Sequence, residues 1–346
     1  MKKLTVCLFA ACLLVPAFVP VGAAAEMKTA PVSVRDPFVL ENGGSYYLYG
    51  TGLCWPGYGC RVSADLAEWS DTVRVLDPAA VPDACGDWWA PECHAYGGRF
   101  YLFATYRSAA SGKRGTAVFV SDSPTGPFSP LSDGHITPKE RDCIDGTLYI
   151  DGAGDPWIVY VDEWTSAPDG VGSMSASRLS PDLSARVGEP ILLFRADDAP
   201  WAKGRITDGP FLYRTASGAL LMLWSNLTKS GYAVGVARSS NGRIDGKWTQ
   251  LRTPLYQKDR SHSLDGGHGM LFRGPDGALL LSIHAPNDST PEEPTLARFV
   301  PVADLGFTLA SAEAFPGAER LLKAAAPLSI RISSFCERLK RAFACG

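Results

Sequence analysis

The chain has 346 residues, a formal net charge of −3 and 20% charged residues. No basic excess points to nucleic acid, and no acidic excess points to disorder. With 46% apolar residues it has the material for one large domain or two ordinary ones.

The N-terminus has the layout of an export signal. Lys2 and Lys3 precede an apolar run from Leu4 to Val21, and Ala23-Ala24-Ala25 supplies a small-residue cleavage pattern. Residues 1–25 are expected to be removed, leaving Glu26 first. A membrane anchor is the rival reading, but Pro16 and Pro20 interrupt the run and no positive stop-transfer flank follows. A lipid attachment at Cys12 fits poorly, because the apolar run continues past it. No second stretch is long enough to span a bilayer. The protein is therefore expected to be secreted or periplasmic, without a membrane span.

Seven cysteines follow the signal: Cys54, Cys60, Cys85, Cys93, Cys143, Cys336 and Cys345. In an oxidising compartment, Cys54 with Cys60, Cys85 with Cys93 and Cys336 with Cys345 are local candidate pairs, although spacing does not fix connectivity. No C-x-x-C or H-E-x-x-H spacing is present, so neither structural nor protease-type zinc is expected. Serine-elbow, Walker and dinucleotide motifs are also missing.

The informative signal is an internal repeat. A turn with Gly or Asp precedes a hydrophobic strand five times: Tyr46–Tyr49, Phe100–Phe103, Trp157–Tyr160, Leu220–Trp224 and Leu279–Ile283. The spacing of about 55 to 65 residues suits one propeller blade with long loops. Each strand follows a shorter one that opens on a polar or ionisable residue beside Gly or Pro. These openings are Arg35-Asp36-Pro37-Phe38, Ala90-Pro91-Glu92, Ile144-Asp145-Gly146, Thr207-Asp208-Gly209-Pro210 and Gly267-His268-Gly269. The innermost strand of a propeller blade lines the central channel, so equivalent openings of five blades converge at one mouth. The pattern predicts an all-β, five-bladed β-propeller over residues 26–322 with very little helix. A β-sandwich is the alternative, but it does not require five equivalent polar openings. Residues 323–346 leave the pattern and are read as a C-terminal extension, helical or disordered.

Three of the openings are aspartates. One aspartate beside Pro or Gly is ordinarily a turn former. Three at equivalent points would crowd one mouth, where repulsion and desolvation raise one pKa and leave another group ionised. That supplies an acid and a base, the pair that glycoside hydrolysis uses.

At these motifs, with Trp89-Ala90-Pro91-Glu92 and Gly266-Gly267-His268-Gly269, the sequence resembles glycoside hydrolase family 43 over roughly residues 30 to 320. The resemblance implies a five-bladed propeller that hydrolyses α-L-arabinofuranosides or β-D-xylosides with inversion. It implies Asp36 as general base, Asp145 as the carboxylate that tunes the acid, and Asp208 at the position of the general acid, where the family usually has Glu. Glu163 is the alternative acid, and Glu92 a weaker one. Trp89, Phe38 and His268 are implied in substrate binding, and His268 also as a neighbour of a Ca2+ ion in the channel; no cofactor is expected to be required. An inverting pair should stand about 6.5–9.5 Å apart. Release of terminal arabinofuranose from plant-type polysaccharide by a monomeric enzyme is the expected activity. The alternatives are a β-xylosidase or endo-arabinanase of the same fold, and a non-catalytic carbohydrate-binding propeller. Fructan-cleaving families 32 and 68 also use Arg-Asp-Pro and Glu-Cys, but their N-terminal nucleophile motif is missing. Asn226-Leu227-Thr228 and Asn287-Asp288-Ser289 fit the glycosylation pattern and are read as chance matches.

Overall fold

The computed structural model describes residues 31–311. The export segment, Cys336, Cys345 and the C-terminal extension lie outside the described residues. Within them, twenty strands form five antiparallel four-stranded sheets, each wound in simple chain order. The first blade holds β1 (Arg35–Asn42), β2 (Ser45–Thr51), β3 (Tyr58–Ser63) and β4 (Val73–Leu76). The second holds β5 (Ala84–Tyr96), β6 (Arg99–Ser108), β7 (Arg114–Ser121) and β8 (Ser129–Pro130). The third holds β9 (Cys143–Ile150), β10 (Pro156–Asp162), β11 (Ser173–Leu179) and β12 (Arg186–Arg195). The fourth holds β13 (Asp208–Arg214), β14 (Leu220–Thr228), β15 (Gly231–Ser239) and β16 (Trp248–Gln250). The fifth holds β17 (Gly267–Arg273), β18 (Leu279–Ala285), β19 (Leu296–Asp304) and β20 (Leu309–Ser311).

The chain is a five-bladed β-propeller. Inner strands β1, β5, β9, β13 and β17 stand side by side around the axis, with β17 returning to β1. Helix is confined to three single 3-10 turns among the described residues. The hydrophobic strands foreseen in the repeat are the second strands of their blades, buried on both faces between neighbouring sheets; Leu48, Leu102, Ile158, Leu221 and Leu281 are all buried. The ring is closed by main-chain pairing. Ser33 bridges to Leu296 at the start of β19, and the Ala297 N–H donates to the Val32 carbonyl at 2.8 Å.

One irregularity recurs in all five inner strands. The register against the second strand slips between Arg35 and Phe38, Trp89 and Glu92, Ile144 and Thr147, Asp208 and Phe211, and Gly267 and Met270. At each slip two residues face one, a β-bulge. The first bulged residue is left-handed each time: Asp36 at φ 54°, Ala90 at 41°, Asp145 at 54°, Gly209 at 51° and His268 at 52°. The bulge turns that residue out of the ladder and toward the mouth.

The bulges correct the repeat alignment. Asp36 and Asp145 are equivalent, but Asp208 is not their counterpart. Asp208 pairs with Ser225 as Arg35 pairs with Thr51 and Trp89 with Thr105, so it stands one residue before its bulge. Gly209 fills the bulge of the fourth blade.

The expected local disulfides of the propeller are not formed; Cys54, Cys60, Cys85, Cys93 and Cys143 are free thiols. Cys85 and Cys93 lie eight residues apart on the single strand β5, far beyond the Cα separation of about 4.4–6.8 Å that a disulfide spans. Cys60 is turned into the core beside Cys93. Of the two glycosylation patterns, Asn226 is fully buried, and its side-chain oxygen accepts the Gly204 N–H at 3.1 Å.

Ala90 is the one bulge residue with neither a functional side chain nor the freedom of glycine. A left-handed L-residue costs about 1–2 kcal/mol and glycine's extra chain entropy about 0.5–1 kcal/mol. Ala90→Gly is therefore expected to raise the unfolding free energy by up to about 1 kcal/mol in urea titrations; an unchanged midpoint would show that the bulge relieves the strain by other means.

Candidate active site

The bulges bring Asp36, Asp145 and His268 together at one mouth of the channel. His268 Nδ1 lies 3.2 Å from Asp36 Oδ1 and 3.8 Å from Asp145 Oδ2. Asp36 and Asp208 keep a partly exposed edge, whereas Asp145 is buried at 4% exposure. Asp208 joins through Tyr232, whose hydroxyl donates to Asp208 Oδ2 at 2.8 Å.

Each bulge is secured by the blade before it. The Ala90 N–H donates to Thr51 Oγ1 at 2.7 Å, the Asp145 N–H to Thr105 Oγ1 at 3.1 Å, and the His268 N–H to Ser225 Oγ at 2.8 Å. The Asp36 N–H donates to His284 Nδ1 at 3.1 Å across the closing seam. Thr51, Thr105, Ser225 and His284 occupy one register position on the second strands, opposite the residue before the bulge. The third blade has Val161 there, which has no acceptor. At that junction the Gly209 N–H donates instead to Asp145 Oδ2 at 3.0 Å. The side chain of Asp145 therefore fixes the backbone beside Asp208.

The hydrogen bonds set proton positions. His284 accepts on Nδ1, so Nε2 carries its proton and meets Asn287 Oδ1 at 3.2 Å. Thr51 accepts from Ala90, so its own proton is directed to Asp36 Oδ2 at 2.6 Å.

The charges separate the three aspartates. Burial alone would push the Asp36 carboxyl up, but the adjacent His268 imidazolium overrides it and holds Asp36 well below the usual carboxylate range. Burial works against the cation of His268, yet Asp36 and then Asp145 raise it to about 10, so it is protonated at neutral pH. Asp145 is pushed up to about 7, first by burial and then by Asp208 and Asp36, against the pull of His268. Asp208 is raised by burial, against the Tyr232 hydrogen bond and the His268 charge. One carboxylate stays ionised and two share the tendency to hold a proton.

The other expected site residues fall outside this cluster. Phe38 lines one cavity with Asp36 and His268. It lies two residues beyond the Asp36 bulge, 5% exposed, against the rings of His94 at 4.9 Å and Phe211 at 6.5 Å, and it lines the channel wall. Trp89 is half-buried, with the Arg114 guanidinium 4.9 Å over its ring. Glu163 is held by Arg114 Nη1 at 2.6 Å, and the same guanidinium holds Asp87 at 2.8 Å. Burial pushes the Glu163 carboxyl up against Arg114, but that ion pair must break before Glu163 can donate a proton. Glu92 is buried in the channel and paired with His94 at 3.1 Å. Among the described residues no group of three or more His, Cys, Asp or Glu side chains is arranged to hold a metal ion. Ca2+ takes six to eight oxygens, and the His268 face offers Asp36 and Glu92, so the donor set is not a protein-built calcium cage.

Thr51, Tyr232 and His284 were not foreseen as site residues. His284 had a signal: it is a histidine near the end of an apolar strand.

A five-bladed propeller with three carboxylates at one channel mouth is the architecture of a glycosidase. The chain belongs to the glycosyl hydrolases family 43, whose model matches residues 29–304. It is similar to the extracellular exo-α-(1→5)-L-arabinofuranosidase ArbA of Cellvibrio japonicus, at 26% identity over 70% of this chain and 72% of that protein. It is also similar to extracellular endo-α-(1→5)-L-arabinanase 1 of Bacillus subtilis, at 25% identity over 70% of this chain and 73% of that one. Among solved structures, an endo-arabinase from Bacteroides thetaiotaomicron superimposes with a TM-score of 0.71 at 38% identity, covering 80% of this chain and 98% of that one. No helix among the described residues is long and apolar enough to cross a membrane.

Asp208 is a carboxyl whose folded pKa exceeds its unfolded value, so its ionisation opposes folding. The penalty is absent below the unfolded pKa of about 3.9 and complete above the folded one. Asp208→Asn, which can still accept from Tyr232, is expected to melt above wild type at about pH 8, with the gap closing toward about pH 4. A gap that does not change with pH in calorimetric scans would contradict the raised value.

Proposed function

We propose that this glycoside hydrolase cleaves α-L-arabinofuranosidic linkages in plant-type polysaccharide or oligosaccharide, inverting the anomeric carbon and releasing terminal arabinofuranose. The observation that carries the mechanism is the electrostatic division of the three aspartates by one imidazolium. Asp36, kept ionised, takes a proton from water as the oxygen attacks the anomeric carbon. Asp208, whose proton affinity burial raises, gives its proton to the departing glycosidic oxygen as that bond breaks. Asp145 holds the Gly209 N–H and shares the raised proton affinity, so it orients the acid and limits its ionisation. One proton enters Asp36 as another leaves Asp208, and exchange with solvent restores both.

The arabinan linkage is supported by the relatives named α-(1→5)-L-arabinofuranosidase and α-(1→5)-L-arabinanase. Endo cleavage of the same linkage is the second reading, favoured by the 38% identical endo-arabinase. Relatives described as extracellular support an exported enzyme.

The test is a panel of aryl arabinofuranosides, aryl xylosides and linear arabinan, run on wild type, Asp36→Asn, Asp145→Asn, Asp208→Asn and Glu163→Gln. Asp36→Asn should lose about 10²–10⁴-fold in kcat on every substrate. Asp208→Asn should lose most on arabinan and less on aryl glycosides, whose leaving groups need little protonation. Glu163→Gln should retain activity; its loss in place of that of Asp208→Asn would reassign the acid. Proton NMR of the first-formed sugar should show the inverted anomer, and a retained anomer would remove Asp36 from the role of base.

The pH profile of kcat/KM should be a bell. Activity falls at low pH as Asp36 protonates, below the usual carboxylate range. It falls at high pH as the Asp145–Asp208 pair loses its proton, and the value of about 7 at Asp145 places that limb near neutrality.

A further inference from the structure

Tyr232 is the buried phenol nearest the chemistry, and its surroundings are shaped to hold it. It opens the third strand of the fourth blade, 4% exposed, and reaches across to the fifth. Its ring stacks on His284 at 5.5 Å with an interplanar angle of 17°. It also lies against the backbone of Gly267, where a Cβ would stand 2.4 Å from the ring. Its N–H donates to Asp265 Oδ2 at 2.9 Å. Strands of two blades and one loop therefore fix a single hydroxyl, and that hydroxyl meets Asp208 Oδ2 at 2.8 Å.

We propose that Tyr232 is a positioning residue for the acid: its hydroxyl holds Asp208 Oδ2 as an acceptor, so that the proton delivered to the leaving oxygen resides on Oδ1. The inference rests on the reading of Asp208 as the acid. Burial, followed by the nearby carboxylates, keeps the phenol well above its usual pKa, so Tyr232 donates throughout and does not itself supply the reacting proton. Asp208 Oδ1 has no protein hydrogen-bond partner among the described residues and is left to the substrate. As the proton leaves Oδ1, charge grows on the carboxylate and the Tyr232 hydrogen bond strengthens, which favours the transfer. The bond also compensates for a short side chain: an aspartate cannot reach as far as a glutamate, and a fixed phenol removes the freedom to turn away.

The groups facing Asp208 are Tyr232 from β15, His268 from β17, His284 from β18, Asp36 from β1 and Asp145 from β9. Of these, Tyr232→Phe removes one hydrogen bond and keeps the ring, the His284 stack and the backbone. The experiment compares Tyr232→Phe, Asp208→Asn and wild type over pH, on a 4-nitrophenyl arabinofuranoside and on linear arabinan. Tyr232→Phe should shift the alkaline limb of kcat/KM upward, because the bond that favoured ionised Asp208 is gone. It should also lower kcat on arabinan by about tenfold or more, with a much smaller loss on the aryl substrate. The 13C-carboxyl titration of labelled aspartate should show the same upward shift for Asp208 without reference to turnover. An unmoved limb and titration, with equal losses on both substrates, beside an inactive Asp208→Asn, would overturn the role of Tyr232 alone. An Asp208→Asn enzyme with full arabinan activity and its alkaline limb intact would overturn the acid and Tyr232 together.

Discussion

The structure depends on the left-handed bulge at the head of each inner strand. A non-glycine residue in that conformation costs about 1–2 kcal/mol, and four of the five positions here are not glycine. The return is direction. A regular strand would point alternate side chains into the sheet faces, whereas the bulge aims Asp36, Asp145 and His268 at a common centre. The conformation is held from outside: each bulged N–H finds an acceptor on another blade. Catalytic geometry and blade-to-blade cohesion are therefore carried by the same hydrogen bonds.

The charge arrangement follows from that convergence. Three carboxylates at one mouth would repel each other without relief. The single imidazolium of His268 relieves one of them fully and a second in part. It lies nearer Asp36 and, with His284, holds that carboxyl down, whereas burial and then the charges of Asp208 and Asp36 push Asp145 up against its pull. Burial raises the Asp208 carboxyl, and the Tyr232 hydroxyl together with the more distant His268 charge only partly offsets it.

Much of the fold was legible because the repeat is written in local terms: a turn, an apolar strand, a polar opening. The inner strands, the second strands and the convergence of Asp36, Asp145 and His268 all followed from it. The one-residue offset of Asp208 was not legible, since Asp36-Pro37 and Asp208-Gly209-Pro210 look alike until the bulge is located. Thr51, Thr105 and Ser225 left no trace, since hydroxyl residues at strand ends are common and their partners lie on the next blade. Tyr232 reads as one more aromatic of an outer strand, and its role needs Gly267, a residue of a different blade that makes room for its ring. Cys85 and Cys93 are close in sequence but not in space, because one extended strand carries both.

The closing seam sets when the enzyme becomes an enzyme. Asp36 stands at the head of the first blade, yet the groups that define its state, His268 and His284, belong to the fifth. The strand pairing that joins these ends, Ser33 with Leu296, spans most of the chain. A chain emerging from its N-terminus therefore carries its base early, with Thr51 beside it but without its histidine partners. The first four blades hold neither of these groups, so by themselves they do not supply the cation that sets the charge of Asp36. Only the arrival of the last blade does that. Activity is thus a property of the closed ring, since the base of the first blade is completed by residues of the fifth.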